Sequence, residues 1–342
     1  MAKTHWMLAA YSAAHFTVDF SCAFLMFSVV KQAGDWMLCM LIYNFCAFAL
    51  QMPMGIIADR LNRNCIVAVL GCVLVGLSFA FAFSPLLCAA LAGVGNGMFH
   101  VGGGVDVLNI SEKKAGALGV FVSPGAFGIY FGTMLAKRGW AAPFIFIVLL
   151  AAMIPLMLSA CKAAGTAVRS ANRPLSLESA RSKKTILCIA ALFLVVCLRS
   201  YAGMLMNFSW KSEPVWSLAA VCAVVLGKTA GGFAADRLGG RMTSAISLGA
   251  AAVLFIFSQN PFAGTAAVFL FNMTMSVTLF EVARIMPGAK GFSFGLLTFG
   301  LFIGFIPSYL GVSLPMANSV ILVFVSAVSL AFMLPAVKRR EM

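Results

Sequence analysis

Ionisable side chains are scarce in this chain. Of 342 residues only 10% are charged, Asp and Glu together number 10, and there are 3 histidines. Hydrophobic residues reach 62% and the mean hydropathy is +1.01, far more apolar surface than one water-facing core could bury. Lipid must solvate much of it, so the chain reads as a polytopic membrane protein. Several motifs are also missing. No phosphate loop G-x-x-x-x-G-K-S/T occurs, which argues against ATP-driven work by this chain. No H-E-x-x-H occurs and no sizeable soluble stretch, which argues against an enzyme or a receptor. The 10 cysteines form no C-x-x-C pair and are read as small buried hydrophobes rather than a disulfide or metal framework. Period-two alternation is absent from the apolar runs, which excludes a barrel in favour of helices.

What remains is a succession of runs of about 20 residues, each long enough to cross a hydrocarbon layer of roughly 30 Å. Twelve are predicted: 7 to 30, 36 to 57, 65 to 83, 86 to 109, 116 to 136, 140 to 161, 185 to 207, 214 to 235, 242 to 258, 262 to 284, 291 to 310 and 314 to 336. The first is too long and too polar for a cleaved signal and is read as a retained span. Basic residues sort by side: Lys3, Arg60, Arg63, Lys113, Lys114, Arg237, Arg241, Lys338, Arg339 and Arg340 fall on one face. Lys31, Lys137, Arg138 and Lys211 are the ones on the other. By the positive-inside rule both termini are cytoplasmic, in a cytoplasmic (inner) membrane. The net charge of +14 is mostly this topological bias, so no nucleic-acid partner is expected. All 5 Trp, at 6, 36, 140, 210 and 216, fall near run ends, where an amphipathic ring prefers the headgroup layer.

One long polar stretch, 162–184, separates six runs from six, dividing the chain into 1–161, a cytoplasmic linker, and 185–342. The halves echo each other. "QMPMGIIADRL" (51–61) matches "KTAGGFAADRL" (228–238) at an offset of 177, and Lys114, Gly119 and Gly128 match Lys290, Gly295 and Gly304 at an offset of 176. Two matches at nearly one offset indicate a duplicated six-helix unit. Same-orientation repeats are a transporter architecture, with a site between the halves near the midplane.

The repeated cluster resembles the signature of the major facilitator superfamily, G-x-x-x-D-R-x-G-R-R/K, between spans two and three and again between eight and nine. Gly55, Asp59, Arg60 and Arg63 supply the first copy; Gly232, Asp236, Arg237, Gly239 and Arg241 supply the second. Asn62 stands in place of the usual Gly, Asn64 of a basic residue and Gly240 of Arg. The resemblance implies an all-α membrane protein of twelve helices in two pseudo-symmetric six-helix bundles, a monomer without a cofactor. It also implies that the acidic residue caps a neighbouring helix N-terminus while the arginines latch a cytoplasmic gate. "GVFVSPGAFG" (119–128) loosely resembles the family's antiporter pattern, although small residues for close helix approach would account for it equally. "AAHFTVDF" (13–20) and "GVGNGMFHVGGG" (93–104) resemble spans one and four of fosmidomycin-resistance-type efflux proteins, which carries over His15, Asp19 and His100. Val101 and Gly102 replace the Pro and acid usual after the second His.

Asp19, Asp106, Arg199 and Lys228 are full charges inside the predicted spans. Each opposes insertion by roughly 2.5 to 3.5 kcal/mol at a helix centre, so together by about 10 kcal/mol. Residues 15 and 19 share one helix face. The expectation is a division of labour. His15, Asp19, His100 and Asp106 would handle protons, while Arg199 and Lys228, with Asp19 and His100, would hold a small anionic or polar organic substrate. Fixed pairs of Asp19 with Arg199, or Asp106 with Lys228, are the bland alternative. The expected function is a secondary transporter working by proton-coupled alternating access, with export favoured. A divalent metal transporter using the His and Asp ligands, helped by 20 Met, is the rival.

Overall fold

The computed structural model describes residues 2–111, 114–171, 174–312 and 314–338. Lys113, Arg339 and Arg340, among the basic residues assigned to the cytoplasmic side, lie outside them. Among the described residues 11 helices are long and apolar enough to cross a bilayer: Ala2–Gln32, Trp36–Leu61, Asn64–Phe81, Pro85–Ile110, Gly116–Arg138, Pro143–Gly165, Lys183–Leu205, Pro214–Leu238, Pro261–Ile285, Lys290–Tyr309 and Asn318–Ala336. The shorter apolar helix Gly240–Ile256 falls between the eighth and ninth of these, and the spans are numbered one to twelve accordingly. The ends agree with the predicted runs to within a few residues. The sixth helix is the exception, continuing to Ala171 through the start of the polar stretch.

Local chemistry sets these ends. Pro85, Pro214 and Pro261 open their helices, where a missing N–H costs nothing. Asn260 caps span ten, accepting from the backbone N–H groups of Phe262 (2.9 Å) and Ala263 (3.2 Å). Spans two and eight both end at a residue of positive φ, Asn62 at 51° and Gly239 at 85°. The two positions are related by the offset of 177. Asn is the non-glycine residue best suited to the left-handed region, so the chain keeps the turn while departing from the signature. Span two also carries a wide π turn at Phe45–Ala49. Span five is two helices, Gly116–Val122 and Pro124–Arg138, broken where Pro124 has no N–H to donate.

By contacts the chain forms two compact units. One comprises Met1–Glu112, Pro124–Leu175 and Gly288–Phe299; the other comprises Lys113–Ser123, Ser176–Pro287 and Gly300–Met342. The first half of span eleven thus groups with spans one to four, and the first helix of span five with spans seven to ten. The boundary inside span five falls at its helix break.

In the first unit, Phe146 of span six is fully buried. It stacks on Phe24 with ring centroids 4.0 Å apart and tilts against Phe20 at 4.9 Å. Such pairs add about 0.5 to 1.5 kcal/mol each beyond area burial, a useful increment where lipid removes the ordinary hydrophobic drive between helices. Cys65 and Cys161, on spans three and six, are joined as a disulfide, which corrects the reading of all the cysteines as unpaired hydrophobes. Their partnership is invisible in the sequence because the two are 96 residues apart. Cys22, Cys39, Cys46, Cys72 and Cys88 are free and buried, as that reading requires.

In the second unit, Trp210 is buried and its indole N–H donates to the Ser258 carbonyl at 2.9 Å. It therefore packs in protein rather than in a headgroup layer, unlike the exposed Trp6 and Trp140. Large apolar side chains such as Val148, Ile246 and Phe324 stand exposed along the spans, as a lipid-facing surface demands.

Candidate functional site

The duplicated cluster builds the same device in each unit. Asp59, buried at the end of span two, accepts hydrogen bonds from the Gly291 N–H (Oδ1, 2.8 Å) and the Phe292 N–H (Oδ2, 2.9 Å). These are among the first amides of span eleven, which need partners from outside the helix. Asp236, half-buried at the end of span eight, accepts from Ala115 N–H (Oδ1, 2.6 Å) and Gly116 N–H (Oδ2, 3.0 Å) at the start of span five. Acceptors and donors are related by the offsets of 177 and 176. Each cap gains from the partial positive charge at the helix end.

The glycine four residues earlier explains the motif's spacing. A Cβ on Gly232 would lie 2.7 Å from the Ala115 carbonyl oxygen, and one on Gly55 would overlap Gly291. The bare residue lets the second helix touch the first, and the carboxylate one turn on receives its amides. Arg60, Arg63 and Arg237 are exposed and Arg241 is half-buried, and each carboxylate accepts from two backbone amides.

The first unit also gathers His15, Asp19 and His100. The His15 Nε2 lies 3.2 Å from Asp19 Oδ2 and 2.9 Å from His100 Nε2; His100 Nε2 lies 3.9 Å from Asp19 Oδ1. His15 and Asp19 are buried, and His100 is the most accessible of the three. Bonding sets the protons. His100 Nδ1 faces the Asn96 carbonyl at 2.9 Å, so that nitrogen carries hydrogen and, in a neutral ring, Nε2 is bare. The His15 Nε2–H then points at two acceptors, the His100 ring and the Asp19 carboxylate. Asn96 Nδ2 donates to Asp19 Oδ1 at 2.9 Å and fixes its orientation. Gly125 closes one wall, since a Cβ there would overlap His15 Nε2 and Asp19 Oδ2.

Asp106 has a different setting from this trio. It is buried, accepting from the Tyr11 hydroxyl (Oδ2, 2.7 Å) and Asn64 Nδ2 (Oδ1, 3.0 Å). Tyr11 in turn lies 3.3 Å from Cys161 Sγ.

In the second unit Arg199 is buried, and its Nη2 donates to Thr278 Oγ1 at 2.9 Å. Its Nε and Nη1 have no hydrogen-bond partner. A buried guanidinium with two of its nitrogens unmatched is costly, about 1 to 3 kcal/mol for each unsatisfied group, and invites an acceptor. Lys228 donates from Nζ to the Val122 carbonyl at 3.1 Å.

Tyr11, Asn64, Asn96, Gly125 and Thr278 were not picked out from the sequence. Part of the signal was there. Tyr11, His15 and Asp19 recur every four residues on span one, and Asn96 and His100 do so on span four, as polar stripes on otherwise apolar helices. Thr278 carried no comparable mark.

No protein-family model and no curated protein matches this sequence. Solved structures do. The chain has the major facilitator fold: it is similar to a transporter of that superfamily, FucP, solved in the outward conformation, with a TM-score of 0.63 and 14% identity over 97% of this chain and 99% of that one. A second structure, of the E. coli fucose:proton symporter FucP, superposes with a TM-score of 0.60 and 14% identity over 97% of this chain and 98% of that one.

Proposed function

We propose that the protein is a proton-coupled secondary transporter of a small anionic organic molecule in the cytoplasmic membrane, with both termini cytoplasmic, working by alternating access. The observation that carries the reading is Arg199, a buried cation whose Nε and Nη1 await acceptors. A guanidinium presents parallel N–H groups that match a carboxylate or phosphonate, so an anionic solute would satisfy what the fold leaves open. The proton would be taken by the trio of His15, Asp19 and His100, which sets two imidazoles beside a carboxylate. Proton coupling in a solved protein of the same fold, a fucose:proton symporter, is in keeping with this. The caps at Asp59 and Asp236 would break and re-form with each cycle, and the resemblance of spans one and four to efflux proteins favours export.

The test is a thermal-shift screen of the purified protein against carboxylates, phosphonates, cationic drugs and neutral sugars. A ligand at 100 times its Kd adds about 2.7 kcal/mol to the folded state. Stabilisation by anions, lost in Arg199→Gln, is expected; stabilisation by cations or sugars instead, or an unchanged response in the variant, would overturn the assignment. In proteoliposomes, Asp19→Asn should abolish transport driven by a pH gradient.

A further inference from the structure

We infer that His15, Asp19 and His100 form a three-ligand site for a divalent transition-metal ion of the zinc class. The candidate ligand atoms, two imidazole nitrogens and a carboxylate oxygen, all lie within 4.8 Å of one another. His15 Nε2 lies 2.9 Å from His100 Nε2 and 3.2 Å from Asp19 Oδ2, and the other carboxylate oxygen, Oδ1, lies 3.9 Å from His100 Nε2. Zinc bound tetrahedrally at roughly 2.0 to 2.2 Å by nitrogen and oxygen places its ligands about 3.3 to 3.5 Å apart. The observed separations fall on either side of that value, and small rotations of the side chains would bring one carboxylate oxygen and the two nitrogens onto a common ion.

The backbone suits the arrangement. His15 and Asp19 are four residues apart on one helix, the spacing by which a single helix offers two ligands to one metal, and His100 completes the set from the facing span. The outer partners are also in place: His100 donates from Nδ1 to the Asn96 carbonyl, leaving Nε2 for a metal, and Asn96 orients Asp19. Gly125 walls off one side, and His100, the most accessible of the three, marks the side by which an ion would enter. With its hydrogen moved to Nδ1, His15 would offer Nε2 as a bare nitrogen, and one carboxylate with two neutral imidazoles offsets half of a divalent charge. Two nitrogens and an oxygen select zinc, copper, nickel or cobalt over magnesium or calcium. The ion would use the same lone pairs as the proton in the transport reading, so occupancy would also block coupling. That consequence rests on the transport reading, whereas binding does not.

The experiment uses the purified full-length protein in detergent with no gradient and no organic ligand, titrated with Co2+ as a visible probe and then with Zn2+. One equivalent of Co2+ should give d–d bands without thiolate charge transfer, and Zn2+ should displace it. His15→Ala and His100→Ala should each weaken binding by more than the about 10- to 100-fold that loss of an outer hydrogen-bond partner costs, and Asn96→Ala by about that amount. X-ray absorption on the zinc-loaded unsubstituted protein should count two imidazoles, which keeps the test valid where a variant fails to fold. Absence of the bands, a thiolate signature from the free cysteines, or unchanged affinity in the histidine variants would overturn the site. Metal binding as described without inhibition of proton-driven transport would leave the site standing and refute the coupling role.

Discussion

Replacing Asp59 by Asn offers a direct measure of what the duplicated aspartates do. Asp59 receives two amide hydrogen bonds, from Gly291 at 2.8 Å and Phe292 at 2.9 Å, and is buried. A hydrogen bond to a charged group contributes about 1.5 to 3 kcal/mol, and a negative charge at a helix N-terminus about 0.3 to 1 kcal/mol more. Asparagine keeps one acceptor oxygen and turns an NH2 group toward the other amide, so one bond and the charge are lost together. The local cost is about 2 to 3 kcal/mol, or about a 30- to 150-fold rise in the open population at 1.4 kcal/mol per tenfold. Hydrogen exchange of the Gly291 and Phe292 amides should quicken by that factor. Asp236→Asn should produce the same acceleration at Ala115 and Gly116 and leave Gly291 and Phe292 unchanged. If exchange at Gly291 and Phe292 is the same in Asp59→Asn as in the unsubstituted protein, the carboxylate contributes nothing to holding span eleven, and the capping argument is wrong.

Arg199→Gln should raise the melting temperature of the ligand-free protein, because it removes a buried charge that Thr278 satisfies at only one nitrogen; a lower temperature would mean that the guanidinium has a stabilising partner. Gly125→Ala should cost about 1 to 3 kcal/mol in thermal unfolding, since its methyl group must displace His15 and Asp19, and should weaken Co2+ binding as well. Asn62→Ala should destabilise by about 1 kcal/mol while Asn62→Gly is neutral or stabilising, the pattern expected of a left-handed turn and measurable in the same melts. Thr278→Val should leave the fold intact but lower the affinity of any anion held by Arg199, as measured by ligand-induced stabilisation, through loss of the group that orients the guanidinium.

The helices, their ends and the duplication were legible in the chain because they depend on neighbours in sequence. Twenty apolar residues satisfy their own backbone only as a helix, prolines and positive-φ residues stop it locally, and a repeat at offset 177 needs no fold to be seen. The polar stripe at residues 11, 15 and 19 belongs to the same class, since a helix brings every fourth residue onto one face. What each stripe meets is another matter. His100 reaches His15 across 85 residues, Gly291 reaches Asp59 across 232, and Cys65 joins Cys161 across 96. Those encounters depend on how helices cross and rotate in packing, which no local pattern encodes. The same holds for Arg199: its charge was readable at once, but whether a neighbour would quench it or leave two nitrogens open depended on which face of span ten packed beside it.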